Sequence, residues 1–318
     1  MLRYVRQRLI GVFFTFIIIV ALLFFILHAM PGDISSSPKI KEPQRIAIRA
    51  KYRLDEPQPV QFVHFIKNYL NLDFGYSFFV RPGTPVKEVI LDRLPITVQL
   101  NLFATLLTIP LGMFFGITMA LKKNSLYDHV ASSFVILFIS APSFVVAAVL
   151  QYFIAYRLQW LPLTLAPEPT LNWTKFVSMI LPILALSFGN IATMSRMLRA
   201  ELSEALTSDY MLLAKAKGLT YGQSIMRHAL RNAMVPMAAQ FLYLVVWLLS
   251  GSIVIENIFG VPGLSKILID AINSKDHWLS LGVLYFYVLI GLVLAIAGDL
   301  SYGLIDPRIR MGGKHSES

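Results

Sequence analysis

Long runs of apolar residues, separated by shorter polar segments, dominate the pattern of this chain. Six of the runs reach the ~20 residues that a helix needs to cross the hydrocarbon core of a bilayer. They cover about residues 9–27, 98–121, 130–156, 176–195, 233–255 and 278–297. Backbone amides and carbonyls that face lipid must be paired within their own segment, so each run is expected to be helical. The pattern predicts an all-α membrane protein with six transmembrane helices.

Composition supports a bilayer environment. Of the 318 residues, 56% are hydrophobic and only 14% are charged, which is more apolar than a soluble core requires. The absence of cysteine excludes disulfides and thiolate chemistry. The formal charge of +10 could indicate a nucleic-acid ligand, but the cations flank the apolar runs and no nucleic-acid-binding motif is present. We therefore expect the lipid bilayer as a partner and no nucleic acid.

The lysines and arginines of the short loops predict the orientation of the chain. If the N-terminus is cytoplasmic, the loops on that side carry most of these cations, as the positive-inside rule requires. The segment 31–95 also carries cations and would lie outside, but loops longer than roughly 60 residues translocate largely regardless of charge. We predict a multi-pass protein of the plasma or inner membrane with both termini in the cytoplasm.

The predicted spans divide the chain into four segments. Residues 1–30 form an N-terminal anchor span, since no small-x-small cleavage site marks a signal peptide. Residues 31–95 form a small extracytoplasmic subdomain, in which the apolar residues of 59–70 have helical spacing. Residues 96–305 hold spans two to six, with an organised cytoplasmic element at about 200–233. Residues 306–318 form a cytoplasmic tail.

The connection between the fourth and fifth spans carries signals for two short helices. Ser208 and Asp209 suit the start of a helix at Tyr210, and Gly218 suits the position just after its end. Thr220 can cap the next helix. Topology alone explains a basic loop, but a ~35-residue connection with two caps and a glycine turn is more organised than most. The pattern therefore indicates a rigid element that docks a partner and transmits motion.

At this connection the sequence resembles the permease subunits of peptide-type ATP-binding-cassette importers, the dipeptide and oligopeptide permease group. The resemblance rests first on a run that looks like the coupling motif of this group: Asp209-Tyr210, Ala214-Lys215-Ala216-Lys217-Gly218-Leu219, Arg227-His228-Ala229 and Arg231-Asn232-Ala233. Similar segments follow one another along the chain: Leu54-Asp55-x-Pro57, Asp73-Phe74-Gly75-x-Ser77, Arg93-Leu94-Pro95-x-Thr97, Ala141-Pro142-Ser143-Phe144, the run from Val254 to Leu264, and Asp306-Pro307-Arg308. One departure is that Leu212 and Leu213 precede Ala214 where the broader importer signature has Glu-Ala-Ala.

The resemblance implies the type I importer permease fold with a coupling helix at about residues 210–221. It assigns contact with the ATPase to Asp209, Tyr210, Ala214, Lys215, Ala216, Lys217, Gly218, Leu219, Arg227 and Arg231. The implied partners are a second homologous permease subunit in a heterodimer, two cytoplasmic ATPase subunits and an extracytoplasmic substrate-binding protein. The implied function is translocation of dipeptides or oligopeptides, driven by ATP hydrolysis in the separate subunits.

No cofactor is expected in this chain, because it has no Gly-x-x-x-x-Gly-Lys-Ser/Thr loop for a nucleotide. ATP and magnesium would bind in the partner subunits, and the chain itself would not be an enzyme. The six histidines are scattered without ligand spacing, so no metal site is predicted.

Polar residues within the spans are candidates for the translocation path, because burying them in a bilayer is costly. The neutral amides within the spans are Gln99, Asn101, Gln151, Asn190 and Gln240. Two interpretations of them are open: they bridge helices, or they contact the substrate. Our candidates for a gate or path are Asn190, Gln240, Glu256 and Phe259. For Glu256, a helix cap or loop tether is an equally good explanation. Pro110, Pro142 and Pro182 predict bends within spans.

Three other functions remain open at this stage. Relatives of the same family carry nickel or another small solute. An ion-coupled secondary transporter would typically place charged residues at the bilayer midplane, and this chain has none there. A membrane-embedded enzyme would need a catalytic motif such as His-Glu-x-x-His or Gly-x-Ser-x-Gly, which the sequence lacks.

Overall fold

The computed structural model describes residues 2–29 and 41–305, and these ranges are helical except for connecting loops and one isolated bridge between Tyr76 and Pro85. The helices are α1 Leu2–Ala29, α2 Glu42–Tyr52, α3 Gln58–Leu70, α4 Val86–Leu121, α5 Leu126–Ser140, α6 Ser143–Leu150, α7 Trp173–Leu206, α8 Asp209–Ala216, α9 Tyr221–Ser224, α10 Leu230–Ser250, α11 Ile253–Ile258, α12 Leu264–Asn273 and α13 His277–Ile305. Two π-helical turns continue α6 and α9, at Gln151–Arg157 and Ile225–Ala229. The predicted all-α class is confirmed.

The helices that can cross a membrane coincide with the predicted apolar runs. Within the described ranges, four are long and apolar enough: Arg6–Ile26, Val86–Leu121, Trp173–Leu206 and His277–Ile296. Two bent pairs supply up to two more spans: Leu126–Ser140 with Ser143–Arg157, bent by 105°, and Tyr221–Ala238 with Gln240–Leu249, bent by 47°. The six predicted runs therefore lie in four single helices and two bent pairs.

The third span bends sharply at Pro142. Ala141 leaves the helical region, with φ −76° and ψ 123°, because a following proline ring disfavours the α conformation. Pro142 then precedes α6 as its N-cap residue. Pro110 and Pro182, by contrast, lie inside the continuous helices α4 and α7. One of the three predicted bends is thus a break between two helices.

The fifth span ends earlier than the sequence predicts. Gly251 has φ +64°, a left-handed conformation that glycine adopts without strain and that stops α10 at Ser250. Glu256 then lies in the separate short helix α11. The predicted extension of this span to Ile255 is wrong, because the apolar run continues across a turn.

The chain forms two compact units, the first of which comprises Met1–Thr97, Leu249–Ile253 and Pro262–Ser318. Aromatic rings fill its core: the rings of Phe65 and Tyr69 on α3 are 4.1 Å apart, and those of Tyr69 and Tyr285 are 4.6 Å apart. The predicted amphipathic helix at 59–70 is confirmed as α3, which buries Phe65 and Tyr69. Burial raises the pKa of the Tyr69 hydroxyl, so this ring stays neutral. The predicted four-segment division of the chain stays a prediction.

Asp276 fixes the loop that follows α3 in this unit. Its Oδ2 accepts hydrogen bonds from Ser77 Oγ at 2.6 Å and from the backbone amides of Phe78, Phe79 and Val80 at 2.9–3.1 Å. Its Oδ1 accepts from Leu279 N in the first turn of α13, at 3.3 Å. Asp276 is fully buried, and these donors replace the hydrogen bonds to water that the carboxylate loses on burial. One carboxylate thereby joins residues 77–80 to α13.

Replacing Asp276 with alanine should release the loop 77–80. We expect amide hydrogen exchange in a peptide covering this loop to accelerate on the order of 100-fold, because hydrogen bonds to a charged group contribute roughly 1.5–3 kcal/mol each. Mass spectrometry of the exchanged protein measures the effect. Asp92→Asn is the control, since Asp92 forms an exposed ion pair with Arg81 that contributes little. Equal protection of the loop in both variants would contradict this role of Asp276.

The second unit comprises Val98–Leu248 and Val254–Val261, and in it α4 and α7 are in close contact. A Cβ added at Gly112 would lie 2.8 Å from Met194 Sδ, and one added at Gly116 would lie 2.9 Å from Leu198 Cβ. Ser195 Oγ also donates across the contact to Gly112 O at 3.2 Å. Small residues four apart allow the backbones of membrane helices to approach in this way.

Two of the polar residues in the spans bridge separate elements of the second unit. Asn101 Nδ2 on α4 donates to the carbonyls of Trp247 and Leu248 on α10, at 3.3 and 3.1 Å. Gln151 Nε2 donates to Leu163 O and Ile258 O, at 2.9 and 3.1 Å. For these two residues the bridging interpretation is the one that the structure supports.

Candidate coupling site

The connection between α7 and α10, residues 207–229, is the candidate coupling element. Its first helix, α8, begins at Asp209, one residue before the predicted start. Ser208 is the N-cap residue, but its Oγ donates to Ala205 O at 2.6 Å and makes no cap hydrogen bond to α8. The predicted cap by the Ser208 side chain is therefore wrong, because the hydroxyl binds the end of α7. Asp209 lies in the first turn, where its charge complements the helix dipole.

Gly218 ends α8 in the manner predicted. Its φ is +81°, and the chain around it forms a Schellman turn. Leu219 N donates to Ala214 O at 3.2 Å, and Gly218 N donates to Lys215 O at 2.9 Å. A Cβ at this position would meet no atom within 4 Å, so the requirement for glycine lies in the backbone conformation alone.

Thr220 begins the second helix with a complete capping box. Thr220 Oγ1 accepts from Gln223 N at 3.3 Å, and Gln223 Oε1 accepts from Thr220 N at 3.1 Å. The predicted cap at Thr220 is confirmed. Four residues, Lys217 to Thr220, lie between α8 and α9, and the hydrogen bonds of the Schellman turn and of the capping box specify the conformation of this turn.

An apolar core holds the candidate coupling element against the ends of its neighbouring helices. Met211 of α8 is buried and belongs to one cluster with Leu202 and Ala205 of α7. Ile225 and Ala229 of the π-helical turn, together with residues of α10, belong to the same cluster. The candidate coupling element therefore shares one apolar core with the end of α7 and the start of α10.

The opposite face of the element is exposed and combines apolar with basic residues. Its large apolar side chains are each more than half exposed: Leu212, Leu213, Tyr221 and Met226. Its exposed cations are Lys215, Lys217 and Arg227, and exposed Arg231 follows in the first turn of α10. Lys215 Nζ lies 5.4 Å from the ring centroid of Tyr221, and this cation–π contact joins α8 to α9 across the turn. Such a surface suits a partner with an apolar groove and acidic residues.

The predicted coupling residues fall into two groups. Those with exposed side chains or backbone are Asp209, Lys215, Ala216, Lys217, Gly218, Arg227 and Arg231. Tyr210 and Leu219 are half-buried and Ala214 is buried, so these three support the element from within. Leu212 and Leu213 were not among the predicted contacts. The sequence signal that could have identified them is their departure from the Glu-Ala-Ala pattern. Two leucines on a solvent-facing turn require a partner to cover them.

A buried ion pair beside the element was not predicted. Asp128 at the start of α5 is fully buried and accepts from Arg199 Nε at 2.6 Å and from Arg199 Nη2 at 2.7 Å. Asn124 N also donates to Asp128 Oδ2 at 2.9 Å. The bidentate geometry fixes the start of α5 on α7, about two turns before α7 ends at Leu206. The sequence signal was Ser125-x-x-Asp128, since Ser125 Oγ caps α5 by accepting from Asp128 N.

The predicted gate or path residues lie at three places in the second unit. Asn190 is half-buried on α7, and its Nδ2 donates to Leu186 O of the same helix at 3.1 Å. Gln240 is half-buried on α10. Glu256 lies in α11 and Phe259 directly follows this helix; both are buried, and Phe259 O accepts from Leu165 N at 2.9 Å. The assignment of these residues to a gate or path stays a prediction.

The fold and this element together define a class of protein: a multi-span helical membrane protein with a small, partly exposed helical hairpin between α7 and α10. The family is shown by the sequence itself. Residues 112–311 match the "Binding-protein-dependent transport system inner membrane component" family, and residues 1–101 match the "Binding-prot-dependent transport system membrane comp, N-term" family. The chain belongs to the binding-protein-dependent transport system inner membrane component family.

Curated relatives resemble the chain over nearly its whole length. The "Dipeptide transport system permease protein DppB" of Lactococcus lactis is 34% identical over 311 residues, with 98% of this chain and 100% of the relative covered. The Bacillus subtilis protein of the same description is 33% identical, covering 99% and 100%. The "Oligopeptide transport system permease protein OppB" of Salmonella typhimurium is 32% identical, covering 98% and 100%.

Solved structures support the type I ABC importer permease fold. One is described as an amino acid ABC transporter with histidines; it is 17% identical, has a TM-score of 0.51, and matches 68% of this chain and 93% of its own. A chain of the inward-facing MetNI methionine ABC transporter gives the same identity and TM-score, over 68% and 94%. At this identity the likeness concerns the fold alone, and the predicted fold class is confirmed.

Proposed function

We propose that this permease translocates dipeptides or oligopeptides into the cell, using ATP hydrolysis in separate subunits. The observation that carries the proposal is the match to dipeptide and oligopeptide permeases across 98–99% of the chain. The match includes both the candidate coupling element and the segments of the first unit. Nickel transport and ion-coupled transport, the alternatives raised by the sequence, have no comparable support in these relatives.

The proposed mechanism is mechanical. Closure of two ATPase subunits on ATP displaces α8, whose exposed leucines and lysines seat in a groove of an ATPase. The buried Met211 passes the displacement to α7 and α10 through the shared apolar cluster. Rigid-body rocking of these helices then alternates the exposure of the path. The chain itself is not catalytic in this proposal, and ATP and magnesium bind only in the partners.

The proposed assembly contains a second homologous permease subunit, two ATPases and an extracytoplasmic binding protein that delivers the peptide. Both termini and the candidate coupling element face the cytoplasm, as the distribution of loop cations favours. The path residues Asn190, Gln240, Glu256 and Phe259 belong to the proposal as its candidate gate.

Two measurements test this function. In native vesicles, a photoreactive side chain at exposed Ala216 should cross-link to an ATPase, while one at exposed Ala148 on α6 should not. In whole cells, uptake of labelled dipeptides should stop on ATP depletion and persist when the ion gradient is collapsed. Uptake with the opposite dependence, or an Ala216 probe that captures no ATPase, contradicts the proposal.

A further inference from the structure

An elongated apolar cavity of about 370 Å³ lies between α4, α5 and α7 in the second unit. Its walls come from Leu111 to Met119 on α4, Tyr127 to Phe138 on α5 and Phe188 to Ser195 on α7. The single polar side chain of α7 on its wall, Ser195, already donates to Ile191 O and Gly112 O. The cavity therefore offers apolar contact and makes no demand for a polar ligand group.

The cavity opens sideways, toward the surroundings of the helices. Val130 and Phe134 on its α5 wall are about half exposed, whereas Met119, Val135 and Ala192 at its base are buried. Along α5 the wall extends over 12 residues, from Tyr127 to Phe138, whose ends are about 16 Å apart along the helix. Half of a ~30 Å hydrocarbon core is about 15 Å, so the length of the wall matches one leaflet of a bilayer.

Positive charge gathers where the cavity meets the connection between α4 and α5. Lys122 and Lys123 are exposed there, and Lys122 Nζ lies 5.1 Å from the ring centroid of Tyr127, which lines the cavity. Exposed Arg196 follows directly after Ser195 on α7. The acidic group at this end, Asp128, is buried and paired with Arg199, so it does not offset these cations.

We propose that this cavity binds an anionic phospholipid, with one acyl chain between α4, α5 and α7 and the phosphate at Lys122 and Lys123. Three observations favour this occupant: the cavity is apolar throughout, its length matches one leaflet, and cations stand at the end where a headgroup would lie. Juxtamembrane lysines attract anionic lipid by this same charge complementarity. The site needs only the membrane location of the chain, so it stands independently of the transported substrate.

Fluorescence quenching in the intact transport complex tests the site. A tryptophan introduced as Phe134→Trp reports on the cavity, with the signal of the unmodified complex subtracted to remove the native tryptophans. Nanodiscs carry either brominated phosphatidylglycerol or brominated phosphatidylcholine in a background of unbrominated phosphatidylcholine. We expect phosphatidylglycerol to quench at a roughly 5- to 25-fold lower mole fraction, since each lysine near the surface contributes about a factor of five.

Two further variants separate the headgroup from the acyl chain. Lys122→Gln with Lys123→Gln should bring the two lipids to equal quenching, whereas Ala131→Leu, which fills the cavity, should weaken quenching by both lipids. Ala148→Leu on α6 is the matched control, because Ala148 is exposed and does not line the cavity. Equal quenching by the two lipids in the Phe134→Trp complex without a further change overturns the proposal. A preference for phosphatidylglycerol that survives the double lysine change overturns it as well. Absence of quenching by either lipid also overturns the proposal, because another protein surface, and not lipid, then covers α5.

Discussion

Gly218→Val should lower ATP-driven peptide uptake at least tenfold while ATP hydrolysis by the assembled complex continues. Gly218 has φ +81°, which a β-branched residue adopts only at a cost of roughly 1–3 kcal/mol. A Cβ added at this position meets no atom within 4 Å, so the expected effect comes from the backbone conformation. The strain opposes the turn that joins α8 to α9, and a loosened turn no longer carries force from α8 to α10. Parallel assays of uptake and ATP hydrolysis in vesicles measure the separation.

The chain supplies its own control for this prediction. Gly222 lies four residues further on and is equally free of contacts at its Cβ position, but it is helical and has no positive φ. Gly222→Val should therefore transport at close to the normal rate. Gly218→Asn should retain most of the activity, because asparagine tolerates the left-handed conformation. If Gly218→Val transports normally in a correctly inserted complex, the backbone of this turn does not carry the coupling.

Asp128→Ala should destabilise the protein by about 3 kcal/mol. Removing one partner of a buried ion pair costs roughly 3–5 kcal/mol, and the lower end applies here because the Arg199 side chain is 30% exposed. The variant leaves Arg199 without its carboxylate and frees the start of α5 from α7. The midpoint of thermal unfolding of the solubilised complex should fall by roughly 5–10 °C.

A double variant separates the ion pair from general damage. Asp128→Asn combined with Arg199→Gln removes both charges and should recover part of the lost stability, since no unpaired charge remains. Glu204→Gln is the matched control, because Glu204 is an exposed carboxylate on α7, and its unfolding midpoint should stay within about 2 °C of normal. Equal losses for Asp128→Ala and Glu204→Gln would show that the pair does not hold α5 on α7.

Local signals in the sequence were sufficient for the candidate coupling element. The positive φ of Gly218 and the capping box of Thr220 depend on residues within five positions of one another, so a pattern of residue types can specify them. The Ser208 cap failed because a hydroxyl in the last turn of one helix can also bind a carbonyl behind it. The apolar runs likewise located the spans but not the turn at Gly251.

Contacts between distant residues were beyond the reach of the sequence. Asp128 and Arg199 are 71 positions apart, and Asp276 and Ser77 are 199 positions apart. Each of the three charged residues, taken alone, has the ordinary appearance of a charged side chain near the end of an apolar run, and Ser77 is an ordinary loop serine. Only the folded chain shows that both aspartates are buried and fully supplied with donors.

The length of α7 gives its attachment to α8 a geometric consequence. The helix runs without interruption for 34 residues, which corresponds to about 51 Å. A tilt of about 10° at the end that bears α8 therefore sweeps the opposite end through about 9 Å. Because α4 is in direct contact with α7 at Gly112 and Gly116, the proposed mechanism turns a small angular input at α8 into a large displacement at the far end of α7.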